Sequence, residues 1–339
     1  MKVRFMVLMV GLSLVLPKSH AQIVGFPNVD FGAADSVAMV YDGHRINDLR
    51  ALTIKLTQPL STDVEKFRAI YKWVCNNIEN DYPLFIKVKK QRQKLLDDPE
   101  AFMAWNNSFR IQVMKKLMKE QRTMCTGYAY LIKEMAFHAE ITSKVVNGYG
   151  RTAHANIGGE GFANHSWNAV NLGGRWYLCD ATWSSGIING DEGTFVKQYD
   201  DAYFLADPTL FIRNHYPLDT TWSLLEKTLS LEEFLNAPLV YKGSFRHQVT
   251  PVLPDQFRTV AIKGEPITFS FKARDTVADK AVELKVTAYK TVISSASKTI
   301  SNQGEHYEVD HTFKHKGRYS VHLLLDGEYV MTYSVEVGR

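Results

Sequence analysis

Hydrophobic residues in the first half of the chain recur with the period of a helix. Thr62 and Glu65 have the spacing of a capping box, which marks a helix start. Hydrophobic residues then follow at intervals of three and four: Val64, Phe67, Ile70, Tyr71, Val74 and Ile78. This spacing predicts an amphipathic helix. Cys75 shares its hydrophobic face, so we interpret Cys75 as a small buried residue.

A helix followed by strands is predicted in the middle of the chain. After Met124, residues suited to burial again have helical spacing: Ala129, Ile132, Met135, Ala136 and Ala139. Residues 143–149 read as a strand. Residues 165–171 and 175–183 flank Leu172-Gly173-Gly174, which is typical of a tight turn, and they therefore predict a β-hairpin.

From about residue 236 the pattern changes to the alternation of strands. The alternating sets are Ile267, Phe269 and Phe271; Val282, Leu284 and Val286; Tyr319, Val321, Leu323 and Leu325; Tyr329, Met331, Tyr333, Val335 and Val337. Asp326-Gly327 is a strong hairpin signal between the last two sets. Short strands over about a hundred residues predict an immunoglobulin-like β-sandwich over 236–339. It carries no catalytic grouping, so we interpret it as a packing or presentation module.

The N-terminus has the order of a secretory signal. Lys2 and Arg4 precede an apolar run over residues 5–16, and Ser19-His20-Ala21 offers small residues for cleavage after Ala21. The run is too short and wrongly flanked for a transmembrane anchor. Residues 1–21 are therefore predicted to be a signal peptide, with export to a periplasm, the cell surface or the medium. Residues 22–44 read as a loose lead-in segment, and 45–235 as the first domain.

Charge argues against nucleic acid as a partner. The formal charge falls from +4 to +1 on removal of residues 1–21, which hold three basic and no acidic residues. A nearly neutral chain has no electrostatic footprint for nucleic acid. Residues 85–122 are locally basic, with ten positive and four negative side chains. We interpret them as a solvated helix surface, and an alternative is a surface that attracts anionic substrates.

The cysteine count leaves one thiol to explain. The chain has 3 cysteines, Cys75, Cys125 and Cys179, and at most one internal disulfide can form. Cys125 lies where the second helix is predicted to begin, and a helix N-terminus favours the reactive thiolate. We interpret Gly127 as a residue that allows close approach of a substrate. The backbone N–H of Cys125 is a natural oxyanion donor.

The predicted hairpin supplies a base and an acid for this thiol. If its turn centres on Leu172-Gly173, His165 lies directly opposite Asp180 on one face, within hydrogen-bond reach. A glycine bulge would shift this register by one residue. His165 would take the thiol proton, and Asp180 would orient the imidazole. Cys179 points to the other face and reads as a core residue. His154 is an alternative base that reads as a loop residue.

Ordered motifs around these residues resemble the transglutaminase-like superfamily. The motifs are Cys125-Thr126-Gly127-Tyr128-Ala129, His165-Ser166-Trp167-Asn168-Ala169-Val170, Gly174-Arg175-Trp176-Tyr177-Leu178 and Asp180-Ala181-Thr182-Trp183. The upstream Ile70-Tyr71-Lys72-Trp73-Val74 and Asn77-Ile78-Glu79-Asn80-Asp81-Tyr82 resemble the helix and turn before that core. Two further segments, Tyr203-Phe204-Leu205-Ala206-Asp207-Pro208 and His215-Tyr216-Pro217, are similar to the kyphoscoliosis-peptidase branch.

The resemblance implies an α+β fold with a transglutaminase-like, papain-like core, N-terminal helices and an antiparallel sheet, ahead of the immunoglobulin-like sandwich. It implies that Cys125, His165 and Asp180 form a catalytic triad acting on amide bonds by hydrolysis or by acyl transfer from glutamine to an amine. Trp105 is a candidate for the family's upstream oxyanion aromatic. Acidic residues lack calcium-loop spacing and the Cys and His residues form no paired zinc set, so we expect no cofactor and no metal.

These inferences lead to one functional hypothesis and one rival. The first is an exported cysteine hydrolase or acyltransferase, with a protein or peptide substrate such as a cell-wall or envelope peptide. We favour hydrolysis over acyl transfer because of the resemblance to the kyphoscoliosis-peptidase branch. The rival is a non-catalytic envelope module that keeps the fold and binds partners. The sequence leaves the substrate, the acyl acceptor and the oligomeric state open.

Overall fold

The computed structural model describes residues 25–26, 28–95, 97–153, 155–157, 163–189, 192–274, 280–289, 291–297 and 301–338. The predicted signal peptide and the alternative base His154 lie outside the described residues.

Helices form the N-terminal layer: α1 (Gly32–Val40), α2 (Leu49–Thr57) and α3 (Asp63–Asn77). The capping box of Thr62 and Glu65 starts α3 as predicted. Phe67 and Cys75 on α3 are fully buried in the largest core cluster, which confirms the interpretation of Cys75. The lead-in is not loose throughout, because α1 packs on α3 through an ion pair of Asp35 with the buried Arg68.

The basic residues 85–122 lie mostly on two helices, which are inserted between two short paired strands. Short strands β1 (Glu79–Asn80) and β2 (Arg122–Thr123) pair in parallel, and α4 (Tyr82–Lys94) and α5 (Pro99–Glu120) lie between them in the chain. Asp81 caps α4 by accepting from the backbone N–H of Leu84. We call α4 and α5 together the helical excursion.

The site is built on a helix and an antiparallel sheet. The elements are α6 (Cys125–His138), β3 (Ser143–Gly150), β4 (His165–Leu172), β5 (Arg175–Cys179), α7 (Ala181–Ser185), β6 (Gly186–Asn189), β7 (Thr194–Lys197), α8 (Pro208–Phe211), β8 (His215–Pro217) and α9 (Leu231–Asn236). Strands pair in the order β5-β4-β3-β8. Helix α6 packs on both β3 and β4 and on α3, so the hydrophobic core lies between the sheet and the helices.

The C-terminal part consists of two packed sheets. Its elements are β9 (Leu239–Val240), α10 (Lys242–Arg246), β10 (Val249–Leu253), β11 (Arg258–Ile262), β12 (Pro266–Ala273), β13 (Val282–Ala288), β14 (Thr291–Ser297), β15 (Ser301–Gln303), β16 (His306–Thr312), β17 (Gly317–Leu325) and β18 (Glu328–Gly338). One sheet has the order β10-β12-β16-β15, and the other β11-β18-β17-β13-β14 with β9 beside β18. Alternate residues such as Phe269, Leu323 and Tyr333 are buried between them. The predicted fold class, including the immunoglobulin-like sandwich, is confirmed.

The two parts are held together directly behind the site. Helix α10 contacts β18 and the turn before α8. Arg246 on α10 forms ion pairs with Asp200 and with Glu328, and the rings of Tyr203 and Phe245 lie 4.7 Å apart. The sandwich therefore supports the segment that carries Tyr203. Among the described residues, we find no helix that combines the length and the apolarity needed to cross a membrane.

Candidate active site

Cys125 is the first residue of α6, as its sequence position predicted. Met124 precedes it in extended conformation and gives no side-chain cap. The first N–H groups of a helix have no acceptor within that helix, and with the helix dipole they favour a negative charge there. Cys125 is only 5 % exposed. The fold therefore places a buried thiol where a thiolate is stabilised.

Gly127 has a different role from the one predicted. A Cβ atom at this position would lie 1.9 Å from Oγ1 of Thr123, the residue at the end of β2. The absent side chain therefore makes room for Thr123 of β2, which ends just before α6.

The hairpin register differs from the predicted one by two residues. Leu172 pairs with Arg175, and the two glycines between them have φ of 61° and 84°, as a two-residue turn of primed type requires. This register would put Trp167, and not His165, opposite Asp180. A shift by two residues keeps every side chain on the same face of the sheet. The predicted contact between His165 and Asp180 is therefore still formed.

Asp180 ends β5 and starts α7, and its carboxylate is held from both sides. Oδ2 lies 2.7 Å from Nε2 of His165. Oδ1 accepts from the backbone N–H groups of Thr182 at 2.8 Å and Trp183 at 3.3 Å. Since a carboxylate only accepts hydrogen bonds, Nε2 of His165 carries a proton. The other ring nitrogen, Nδ1, is left for the thiol of Cys125.

The charges of the trio support one another. Burial alone would raise the pKa of Cys125, but its hydrogen bond with His165 and the positive charge of His165 lower it below the ordinary value, with help from Arg92. Burial alone would lower the pKa of His165, but the charge and hydrogen bond of Asp180 raise it to about 10. Burial likewise disfavours the Asp180 carboxylate, yet His165 and His215 hold its pKa well below the usual range. The arrangement favours a thiolate–imidazolium pair at neutral pH.

The structure adds a second histidine that our reasoning from residue chemistry missed. Nε2 of His215, at the start of β8, lies 3.0 Å from the same Oδ2 of Asp180. The His215-Tyr216-Pro217 motif was the only signal for it, and that signal carried no role. His165, Asp180 and His215 place ligand atoms within 4.8 Å of one another, so they could in principle hold a metal ion. Their mutual hydrogen bonds already account for the cluster.

The helical excursion covers the thiol. Val88 of α4 forms a cluster with Met124 and Cys125, and Trp105 and Phe109 of α5 pack against this cluster. Trp105, the candidate oxyanion aromatic, thus lies near the thiol of Cys125, where it packs against this cluster. Access to Cys125 therefore runs past α4 and α5.

The other two cysteines take no part in this arrangement. Cys75 and Cys179 are free, fully buried in the main core, and burial raises the pKa of each well above the usual value. Both are inert core thiols in this fold, which matches the core role predicted for Cys179.

Known proteins share the sequence motifs of this chain. Residues 50–181 match the family model of the transglutaminase-like superfamily. Kyphoscoliosis peptidase of Mus musculus is 34 % identical over 199 residues, which are 58 % of this chain and 27 % of that protein. Hillarin of Drosophila melanogaster is 27 % identical over 232 residues, 65 % of this chain and 26 % of that protein. A crystal structure of a TGase aligns with a TM-score of 0.26 and 17 % identity, covering 53 % of this chain and 40 % of that one.

The fold and the match together define the class: the chain carries a transglutaminase-like domain, which supports a function of the peptidase or transglutaminase type. Within that class its sequence is similar to kyphoscoliosis peptidase of Mus musculus and of Homo sapiens, and the resemblance predicted from the motifs is confirmed. The chain spans about a quarter of the length of the curated relatives it matches.

Proposed function

We propose that this protein is an exported cysteine hydrolase or acyltransferase that cleaves amide bonds, with Cys125 as nucleophile, His165 as base and acid, and Asp180 as the orienting carboxylate. The observation that carries the proposal is the buried 2.7 Å contact between Nε2 of His165 and Oδ2 of Asp180, with the thiol of Cys125 on the other side of the imidazole.

Acylation uses the charges already present in this arrangement. The thiolate sulfur of Cys125 attacks the carbonyl carbon of an amide, and the developing oxyanion faces the N-terminal N–H groups of α6. The C–N bond then breaks, and the imidazolium of His165 gives its Nδ1 proton to the departing amine. The products of this step are a thioester on Cys125, a free amine and a neutral imidazole.

Deacylation returns the site to its starting state. His165 removes a proton from water, the hydroxyl attacks the thioester, and the sulfur leaves as thiolate beside a re-formed imidazolium. The product is a carboxylic acid. A lysine amine in place of water would give acyl transfer. We prefer water, with a protein or peptide as substrate, because the similarity is to kyphoscoliosis peptidase, an argument by analogy.

Export is part of the same proposal and rests on sequence alone. The basic, apolar and small-residue order of residues 1–21 supports cleavage after Ala21. Mass spectrometry of the protein recovered from its native host would give an N-terminus at Gln22. An intact N-terminus at Met1 would overturn this part.

One observation favours a second candidate, a non-catalytic binding module. Cys125 is only 5 % exposed beneath the helical excursion, as a retired nucleophile could be. A module of this kind has no need of an activated thiol, so thiol reactivity separates the two candidates.

The test is the rate of Cys125 alkylation by iodoacetamide against pH. Mass spectrometry assigns the labelled cysteine, and His44→Ala, at an exposed histidine, is the matched control for His165→Ala. We expect a midpoint at least about one unit below the ordinary thiol value near 8.5, lost in His165→Ala and kept in His44→Ala. A midpoint at the ordinary value in the wild-type protein, unchanged in His165→Ala, would establish the non-catalytic candidate.

A further inference from the structure

Two imidazoles share one carboxylate oxygen in the core of this protein. Nε2 of His165 and Nε2 of His215 lie 2.7 Å and 3.0 Å from Oδ2 of Asp180. The three side chains are 7 %, 0 % and 1 % exposed, in the order His165, His215 and Asp180. Without access to water, the carboxylate depends on these donors and on two backbone N–H groups.

The surroundings of His215 determine which nitrogen carries its proton. Oδ2 of Asp180 can only accept, so Nε2 of His215 donates. Burial lowers the pKa of His215 to about 4, although Asp180 opposes this, so the ring is neutral and Nδ1 accepts. The amide oxygen Oδ1 of Asn214 lies 2.6 Å from Nδ1, and its nitrogen Nδ2 lies 3.2 Å from the hydroxyl of Tyr203. A neutral ring with its proton on Nε2 has none at Nδ1 to donate to this oxygen. We therefore assign the amide the reverse orientation, in which its NH2 group donates to Nδ1 and its oxygen accepts from the hydroxyl of Tyr203.

Aromatic rings fix the plane of the His215 imidazole. Its ring centroid lies 4.0 Å from that of Phe211, in a stacked arrangement, and 4.3 Å from that of Trp183. The ring of His165 is 5.3 Å away. A ring packed against these aromatic side chains and hydrogen-bonded at both nitrogens presents its N–H in one direction, toward Asp180.

From this geometry we propose that His215 is a positioning residue of the active site: its Nε2–H holds Oδ2 of Asp180 against Nε2 of His165, and Asn214 fixes its tautomer. This inference rests on the proposed function, because it assigns His215 to the same triad. The role requires a donor at Nε2 of residue 215 and does not require an imidazole.

The requirement for a donor gives a matched pair of variants. In His215→Gln the side-chain amide can still donate to Asp180, whereas His215→Met has a similar size and no donor. Loss of the donor frees Asp180 to turn from His165, which lowers the pKa of His165. A role limited to partial neutralisation of the carboxylate predicts the opposite sign, since an unscreened Asp180 would raise the pKa of His165.

The experiment is an NMR titration of His165 in the full chain labelled with 15N-histidine, with thermal melts to confirm folding. We expect the pKa of His165 to fall by about one unit or more in His215→Met and to stay near the wild-type value in His215→Gln and in the His44→Gln control. Asn214→Leu, which removes the donor to Nδ1, should lower it in the same direction, and it replaces His215→Met if that variant does not fold.

The outcomes separate this inference from the proposed function. The positioning role would be overturned if the pKa of His165 were unchanged or raised in folded His215→Met or Asn214→Leu. It would also be overturned if His215→Gln and His215→Met shifted the pKa of His165 equally. An ordinary alkylation midpoint for Cys125 in the wild-type protein would overturn the proposed function instead, and the titration of His165 would still show whether His215 orients Asp180.

Discussion

His165 and Asp180 hydrogen bond across 2.7 Å although they are not paired in the hairpin that carries them. Strand β5 ends at Cys179, and Asp180 turns the chain into α7, where it accepts from the backbone N–H groups of Thr182 and Trp183. The same carboxylate thus caps a helix and orients an imidazole. Both contacts fix the position of this carboxylate within the fold.

Replacing Asp180 with Asn tests this relationship. The variant removes the charge that raises the pKa of His165 to about 10, so that pKa should fall toward 6.5, and the amide can stabilise the wrong tautomer. By analogy with serine-protease triads, turnover of a substrate should fall by about 10²–10⁴-fold. NMR titration of His165 measures the first effect. Asp219→Asn, at an exposed helix cap, is the control, and an unchanged His165 pKa in Asp180→Asn would contradict the prediction.

Arg92 on α4 should contribute to the thiolate through its charge, because that charge lowers the pKa of Cys125. In Arg92→Gln the midpoint of Cys125 alkylation should rise by about 0.3–1 unit, as expected for one partly screened charge. Arg92→Lys should keep most of the effect. Arg110→Gln, an exposed cation of α5, serves as the control. Equal midpoints for Gln and Lys at position 92 would show that packing, and not charge, is involved.

Gly127→Ala should destabilise the protein although alanine is the better helix former. The gain in helix propensity is about 1 kcal/mol. The new Cβ would lie 1.9 Å from Oγ1 and 2.8 Å from Cγ2 of Thr123, and overpacking of this kind costs about 1–3 kcal/mol. We expect a net loss of up to about 2 kcal/mol in urea unfolding, with partial rescue in Thr123→Ala/Gly127→Ala. A Gly127→Ala variant more stable than wild type would refute the steric account.

Acid should destabilise the fold through His215. Its pKa is lowered from 6.5 to about 4 on folding, so between these pH values the unfolded chain binds a proton that the folded chain does not. Stability therefore falls as pH drops from 6.5 to 4, by at most about 3 kcal/mol. The contribution of His165, whose pKa is raised to about 10, is fully present below pH 6.5 and is lost as pH rises toward 10, so it does not obscure this window.

Urea unfolding at pH 6.5 and at pH 5 measures this effect. The difference in unfolding free energy between the two pH values should be smaller in His215→Gln than in wild type, whereas His44→Gln should behave as wild type. The comparison between variants is needed because the pKa values of His247 and His322 are also lowered. Equal pH dependence in wild type and His215→Gln would mean that another group controls acid stability.

The hairpin of β4 and β5 shows which features a local sequence pattern predicts and which it does not. Two glycines between alternating strands predicted the turn, and the chemistry of His165 and Asp180 predicted their contact. The register was misplaced by two residues because the turn uses Gly173 and Gly174, both with positive φ. The contact was still right, because side chains alternate with period two and an even shift keeps their face.

What the sequence determined by itself was local or carried by contiguous motifs. Helical spacing and a capping box determined α3, alternation determined the sandwich strands, and ordered motifs indicated the transglutaminase-like class and the three candidate residues. These features depend on neighbours a few residues apart, where backbone geometry alone relates side chains.

Only the tertiary structure decided which distant groups meet at the site. His215 reaches Asp180 from 35 residues away because β8 pairs with β3 at the far edge of the sheet. The helical excursion covers Cys125 because β1 and β2 pair and return the chain to the start of α6. Such contacts follow from strand order and packing, which are set by the burial of the whole core and not by the spacing of residues within any one segment.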